Sequence, residues 1–409
     1  MKTETKEMIQ GYFAFLRRAV VLSFSGSPVF FGWMTILTII SVLGGYFYVK
    51  QFAIGLVTSG LTDEVSWGVY VANFTFTEGL ATAVVMLVIP AYIYKVRYMQ
   101  DVVIFGQLLS LAAIIMVLMF VMVDLGRPDR FWHMFPFVGF FNFPGSMLSW
   151  DVVVLNGYLG VNTIICSYLL YMRYLGREPK FIIYMPLVLV AIVWAFSIHM
   201  VGSFLFVGLV GRPFWSAAIV APRFMGSAFT AGPAFLILVF QLIRYFTNYS
   251  ISDRAIHSLR NIVTVALLLN MFLLASETFK EFYAASLHSS SARYLFMGLE
   301  GHNRLMPWIW TAVVLEVFAA IVLVVPPIAR RIWFLNAACV FAIIGIWVEK
   351  GLGLIVPGFV PTPLGDIIEY SPTLDETLIC MGIWAFGLLL FSWMLSLAVP
   401  IMSGRFHSD

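Results

Sequence analysis

The chain has 409 residues, 61% of them hydrophobic and only 11% charged, with 24 Lys+Arg against 21 Asp+Glu for a formal net charge of +3. A soluble domain carries about 25% charged residues, and the mean hydropathy of +0.94 gives most of this chain lipid rather than water as its solvent. These values exclude an acidic tail, a nucleic-acid partner and an intrinsically disordered protein. Cys166, Cys339 and Cys380 lie far apart inside apolar runs, with no CxxC. That pattern speaks against a disulfide framework, a thiolate-bound iron–sulfur cluster or attached c-type haem on this chain.

In chain order, residues 1–28 mix charge with apolar positions at helical spacing (Ile9, Phe13, Leu16, Val20). They predict a cytoplasmic interfacial amphipathic segment rather than a cleavable signal peptide, with a partly ordered tail as the alternative. A helix needs roughly 20 apolar residues to cross about 30 Å of hydrocarbon. Ten stretches qualify: 29–49, 67–94, 103–123, 149–172, 182–206, 223–243, 261–283, 306–325, 332–349 and 377–401. The expected fold is an all-α integral membrane protein of about ten transmembrane helices. It forms a single polytopic domain over 29–401, with a cytoplasmic tail at 402–409. If the N-terminus is inside, 15 of the 24 basic residues fall in cytoplasmic segments, so the positive-inside rule puts both termini in the cytoplasm. The expected location is the cytoplasmic (inner) membrane, as a multi-pass protein; a bacterial or archaeal source is what the family resemblance described below implies. Inner connections such as 95–102 and 173–181 are short; the outer ones (50–66, 124–148, 207–222, 284–305, 350–376) are longer. A partner platform is therefore expected on the outer face. Prolines and glycines in 347–376 predict ordered loop rather than helix.

Charges inside a bilayer are costly and mark cavities or paired interiors. At ~1.5 Å rise per residue, Glu78 and Glu316 lie near the midplane of spans two and eight. Asp124 closes span three, Asp151 opens span four, and His199 lies in the outer third of span five. Glu277, Lys280 and Glu281 end span seven; Glu349 and Lys350 end span nine. The inner half offers mainly amides and hydroxyls: Gln107, Ser110, Asn162, Asn270 and Asn336. Glu78, Glu277 and Glu316 are thus candidate members of a proton path. The bland alternative makes Glu277, Glu281 and Glu349 ordinary interfacial residues paired with Lys280 and Lys350, and makes Asp124 and Asp151 helix-end pins, the latter favoured by the helix dipole. A b-type haem in a bundle commonly takes two histidines from facing helices; His199 is the one histidine within a span, and His133, His288 and His302 fall in outer loops. No haem and no metal site is expected on this chain.

Residues 124–151 read DLGRPDRFWHMFPFVGFFNFPGSMLSWD, with eight aromatics between Phe131 and Trp150. Such a segment can lie flat at the interface, with aromatic faces toward lipid or a quinone-sized ring. An aromatic belt with two anchoring arginines is the plainer alternative. Asp124, His133 and Asp151 are candidates for proton exchange with a ring oxygen.

DLGRPDRFW, followed by SMLSWD, resembles the NrfD/polysulfide-reductase membrane-subunit (PsrC-like) family. WGVYVANFTF, PRFMGSAFTAGPA and EKGLGLIVPGFVPTPLG are similar to its ten-span branch, nearest to the DsrP-type subunits of DsrMKJOP complexes, over essentially residues 60–400. The resemblance implies two four-helix bundles, spans two to five and six to nine, flanked by one helix on each side. It implies exchange of electrons between menaquinone or another quinone and a ferredoxin-like iron–sulfur subunit on the outer face. It also implies a multihaem cytochrome c and further membrane redox subunits as partners, in dissimilatory sulfur metabolism. Asp124, Arg127 and Asp151 match motif residues beside the quinone pocket, which Ser149 and Trp150 would shape. Arg130, Phe131 and Trp132, with His133, would face the partner. His199 has a suitable depth for the pocket and is included on depth alone, not on a matched motif. A proton- or ion-coupled transporter and a passive anchor for redox subunits remain as alternatives. For the transporter, span two shows no clear break before Pro90.

Overall fold

The computed structural model describes residues 2–23, 25–135, 137–284 and 289–407. His288 lies outside the described residues, as does the side chain of Ile9. Ten helices are long and apolar enough to cross a membrane, and no β-strand occurs among the described residues. The chain is a multi-pass, all-α integral membrane protein.

Spans two (from Val69), three (Val103–Asp124), four (Met147–Tyr174) and five (Phe181–Val207) pack as one four-helix ring. Spans six (Val220–Phe246), seven (Asp253–Ala284), eight (Met306–Val324) and nine (from Ile332) form a second. Spans two and five of the first bundle lie against span six of the second, and span nine also reaches span two. Spans two, three, six and nine are accordingly the most buried. Spans one (Pro28–Ile54) and ten (Leu374–Met402) pair tightly with each other, and span ten lies along spans three and four. The two flanking helices therefore stand together beside the first bundle. Gly44 and Gly382 let their backbones meet, since a Cβ on either would fall within 2.7 Å of the other backbone, the small-residue contact common between membrane helices.

Helix ends follow local chemistry. Ser27 caps span one, accepting from the Phe30 amide, with Pro28 in the first turn. A Thr373/Glu376 capping box opens span ten, and Lys50 ties the two helices at 2.7 Å from Asp375. Span two runs as an α-helix to Thr82, resumes at Val85 and ends in a π turn over Ile89–Ile93. Pro90 has no amide hydrogen to donate, which accounts for the π turn, but the interruption at residues 83–84 precedes it by two turns. A second difference concerns residues 347–376. Helix continues to Lys350, a further turn covers Leu352–Ile355 and a 3₁₀ turn Val356–Phe359, all buried. This stretch packs under the loops, where Trp215 Nε1 donates to the Leu354 carbonyl at 2.8 Å. Burial among aromatic side chains, together with local i→i+3 bonds, outweighs its glycines and prolines.

At the short-loop end, a helix over Lys2–Ser23 rests Phe15 on Tyr171 and Tyr174, leaving Phe13, Leu16 and Val20 exposed. At the long-loop end a separate apolar cluster, built around Trp215, Phe206, Tyr294 and Phe359, covers the bundles.

Candidate functional site

Each bundle buries one mid-span glutamate against a glycine of a neighbouring helix. Glu78 on span two faces Gly202 on span five, where a Cβ would lie 2.1 Å from Glu78 Oε1. Glu316 on span eight faces Gly345 on span nine, where a Cβ would lie 2.7 Å from Glu316 Cγ. Only a missing side chain leaves room for the carboxyl in each case. Both glutamates are at most 1% exposed; the carboxyl oxygens of Glu78 engage no hydrogen-bond partner among the described residues, and Glu316 has the Asn270 side chain beside it.

Around Glu316 the second bundle assembles an ionic cluster. The Arg223 guanidinium, near the start of span six, bridges Glu277 of span seven and Glu349 of span nine. Glu349 Oε2 also accepts from Asn270 Nδ2 at 2.8 Å. All four are buried. A charge removed from water is tolerable only when paired and hydrogen-bonded, and this fork supplies both conditions. Lys280 pairs with Glu281 at 2.6 Å and not with Glu277. The pairing of Glu277 and Glu349 with Lys280 and Lys350 is therefore corrected: Arg223 serves both carboxylates.

Lys350 instead turns toward the first bundle. Its ammonium lies 3.5 Å from the Phe224 carbonyl oxygen and 4.3 Å from the Phe224 ring centroid. A Cβ on Gly79 would come within 3.3 Å of it. Glu78 lies in the electrostatic field of both Lys350 and Asp151, and His199 in that of Lys350. Lys350 thus joins the two clusters across the bundle interface. A void of about 10 Å³ beside Arg223, Ser227, Glu349 and Lys350 has room for about one water.

Asp151 is 1% exposed, and its Oδ1 has no partner among the described residues. His199 Nε2 lies 2.7 Å from Thr82 Oγ1, while its Nδ1 is unengaged. Ser149 donates to the carbonyls of Ser146 and Asn142, at 2.7 and 3.0 Å. Trp150 Nε1 donates to the Pro144 carbonyl at 3.0 Å, with its ring on Phe143. Both residues therefore fix the loop that leads into span four.

Asp124 has different neighbours. It ends span three near Tyr70 and Glu376, and its Oδ1 is unengaged. Around it, Tyr70 donates to Gln51 Oε1 at 2.6 Å, Gln51 Nε2 to the Val123 carbonyl at 2.7 Å, and Tyr370 to Glu376 Oε1 at 2.8 Å. Burial, with the Glu376 carboxylate beside Tyr370 as the next cause, pushes that phenol well above its ordinary pKa. Arg127 is exposed and grips Asp129 through two bonds of 2.9 and 3.0 Å. That hydrogen-bonded guanidinium holds the Asp129 carboxyl below the usual carboxylate range. Arg130, Phe131, Trp132 and His133 all lie on the exposed surface of a 3₁₀ segment, Pro128–Met134, with the His133 ring 3.8 Å from that of Trp132.

Below Thr82, toward the short-loop end, the first bundle carries a thinner polar line. Tyr158, Asn162 and Gln107 border a void of about 10 Å³, and Tyr92 donates to Gln107 Oε1 at 3.1 Å. Ser110 is fully buried beside the Tyr158 hydroxyl.

The sequence reading missed Arg223, Lys350 and Thr82 as members of the site. A signal for Arg223 was present: Arg223, Ser227, Thr230 and Ala234 recur at helical spacing, and all are buried on one stripe of span six. No group of three or more potential metal ligands occurs among the described residues.

Comparison with known proteins places this architecture. The chain is 27% identical over 367 residues to a protein of Halobacterium salinarum named as a membrane component of a dimethyl sulfoxide reductase, covering 84% of this chain and 80% of that one. It is 24% identical over 383 residues to an Hdr-like menaquinol oxidoreductase integral membrane subunit of Archaeoglobus fulgidus, covering 88% and 91% respectively. A component of the selenate reductase of Mesobacillus selenatarsenatis matches at 26% over 120 residues, 29% of this chain and 27% of that one. The description of the polysulphide reductase NrfD family matches residues 57–361, and with its ten spans the chain belongs to that family of membrane subunits.

Proposed function

We propose that this chain is the quinone-interacting integral membrane subunit of a redox complex. It exchanges electrons between menaquinol or another quinone and an iron–sulfur subunit docked over the long-loop end. Oxidising a quinol releases two electrons and two protons, so the membrane subunit must offer proton acceptors near the ring. The observation that carries this reading is the pair of buried acids with unengaged oxygens, Asp151 and Glu78, with Glu78 in the field of both Asp151 and Lys350. Asp151 would accept a proton near the pocket that Ser149 and Trp150 support, with Asp124 a second acceptor at the neighbouring helix ends. His199 and Thr82 then lie beside Glu78's helix turn, and Tyr158, Gln107 and Tyr92 extend the line toward the short-loop end. Glu277 and Glu316 belong to the parallel cluster of the second bundle. Proton movement through one or both bundles is part of this proposal.

The exposed aromatic segment with Arg130, Phe131, Trp132 and His133 is the proposed docking surface for the iron–sulfur subunit. A ferredoxin-like chain, a multihaem cytochrome c and other membrane redox subunits of a DsrMKJOP-like complex, working in sulfur metabolism, are the proposed partners, on the strength of the sequence resemblance. The relative named as a menaquinol oxidoreductase subunit supports the choice of quinone. Both termini are proposed to face the cytoplasm, on the count of basic residues.

Asp151→Asn in the purified complex tests the site. Quinol-driven reduction of the partner is expected to fall about 100-fold, the scale of a lost general acid–base group. Unchanged transfer removes Asp151 from the mechanism. Co-purification in mild detergent tests the partners: a cluster-bearing chain is expected, and its absence counts against the complex. A second reading, an ion-coupled carrier, draws on the break in span two beside a mid-span glutamate. Proton-linked uptake by the isolated chain in liposomes would favour it.

A further inference from the structure

The second bundle has an opening that the functional reading leaves unused. Between spans seven and eight an apolar groove of about 540 Å³ runs along the outside of the bundle. Its walls carry Phe279, Phe282, Phe296 and Trp310, and its charged lining residue is Glu316. The wall is fixed where Trp310 Nε1 donates to the Phe296 carbonyl at 2.9 Å. Glu316 is 1% exposed, and Asn270 is the one hydrogen-bonding side chain set against its carboxyl among the described residues. Asn270 stands beside it with its own Oδ1 unengaged. A buried polar group without a partner costs free energy unless a ligand or water completes it.

A larger groove, of about 970 Å³, lies between spans one and ten and the second bundle. Its polar floor is complete: Trp347 Nε1 and Trp384 Nε1 both donate to Asn73 Oδ1, at 3.0 and 2.8 Å. Arg304 stands at its rim. The smaller groove has no cationic lining residue among those described; it offers aromatic walls and one acid that can give or take a hydrogen bond. Its volume lies within the roughly 300–1,000 Å³ of small-molecule sites.

We propose that the groove between spans seven and eight is a second binding site for an isoprenoid quinone, its ring against the aromatic walls and a ring oxygen hydrogen-bonded to Glu316. This rests on the reading of the chain as a quinone-linked subunit and adds a site in the bundle opposite Asp151. The site is one of binding and positioning. The ring's contact with Glu316 places it one residue from the fork formed by Asn270, Glu349 and Arg223.

Photolabelling of the purified complex with an azidoquinone bearing an isoprenoid tail, followed by peptide mapping, tests it. Label is expected on spans seven and eight, suppressed about tenfold by excess menaquinone. Ala275→Trp, on the exposed wall, is expected to lower that label about tenfold while leaving label on span four unchanged. Phe279→Ala, which opens the groove instead of filling it, lowers it too, and Glu316→Gln, which keeps the shape, by about threefold. Label confined to span four overturns this inference and leaves the functional reading standing. So does label on spans seven and eight that phospholipid displaces and menaquinone does not. Absence of quinone label anywhere on the chain overturns the functional reading along with it.

Discussion

The two four-helix bundles solve the same problem in different ways. Each holds a mid-span glutamate in a space that a neighbouring glycine vacates. In the second bundle the surrounding carboxylates are paired on site, because Arg223 forks between Glu277 and Glu349. In the first, none of the described residues of its own spans supplies a buried cation; the positive charge near Glu78 comes from Lys350, on span nine. The contrast teaches that a local fork is built to stay, whereas a charge borrowed across an interface can respond to what happens on either side. The second bundle is therefore expected to depend on its ions for stability, and the first to use its acids for chemistry.

Substitutions can break that comparison or sharpen it. The largest effect is expected from Arg223→Gln. Removing one partner of a buried ion network leaves Glu277 and Glu349 uncompensated, at a cost of about 3–5 kcal/mol. Thermal melting of the detergent-solubilised complex should show the loss, and adding Glu277→Gln and Glu349→Gln should recover most of it. Melting at the wild-type midpoint would dissolve the distinction between the bundles. Next comes Gly202→Ala, whose methyl would strike Glu78. Overpacking of this kind costs about 1–3 kcal/mol, and Gly202→Ala combined with Glu78→Ala should be more stable than the single change. Additive losses in that double-mutant cycle would place the two residues out of contact.

Lys350→Met should lie on the other side of the comparison. We expect quinol-linked turnover to drop about tenfold, with a smaller fall in melting temperature than Arg223→Gln gives. A fall as large as that of Arg223 would make Lys350 a structural ion like its neighbour. The smallest effect is expected at Arg127→Ala. Exposed ion pairs contribute little, so melting should not move, while binding of the iron–sulfur partner, followed by co-elution, reports whether that surface docks anything.

Much of the architecture was legible in the sequence. Ten apolar runs became ten helices because a chain in lipid must satisfy its backbone hydrogen bonds within each segment. The depths of Glu78 and Glu316 followed from counting residues along a regular helix. Less could be read where distant segments decide. Lys280 and Lys350 are adjacent in sequence to Glu281 and Glu349, yet only the first of these pairs forms a hydrogen-bonded bridge. Arg223 is counted in the sequence merely as one more basic residue near a loop. Asp124 and Asp151 belong to one motif, but their neighbours differ: Tyr70 and Glu376 for the former, Glu78 for the latter. Residues 352–359 read as loop by composition and are helical turns in a buried place.

The sequence by itself determined the solvent, the number of spans and which ionisable side chains must sit deep, because hydropathy and helical rise act along a single segment. The tertiary structure alone decided which acid faces which base, that Lys350 turns to the first bundle and Arg223 to the second, and that Glu316 is left open to a groove. Those outcomes depend on how close two helices can approach, which is set by glycines and side chains far apart along the chain.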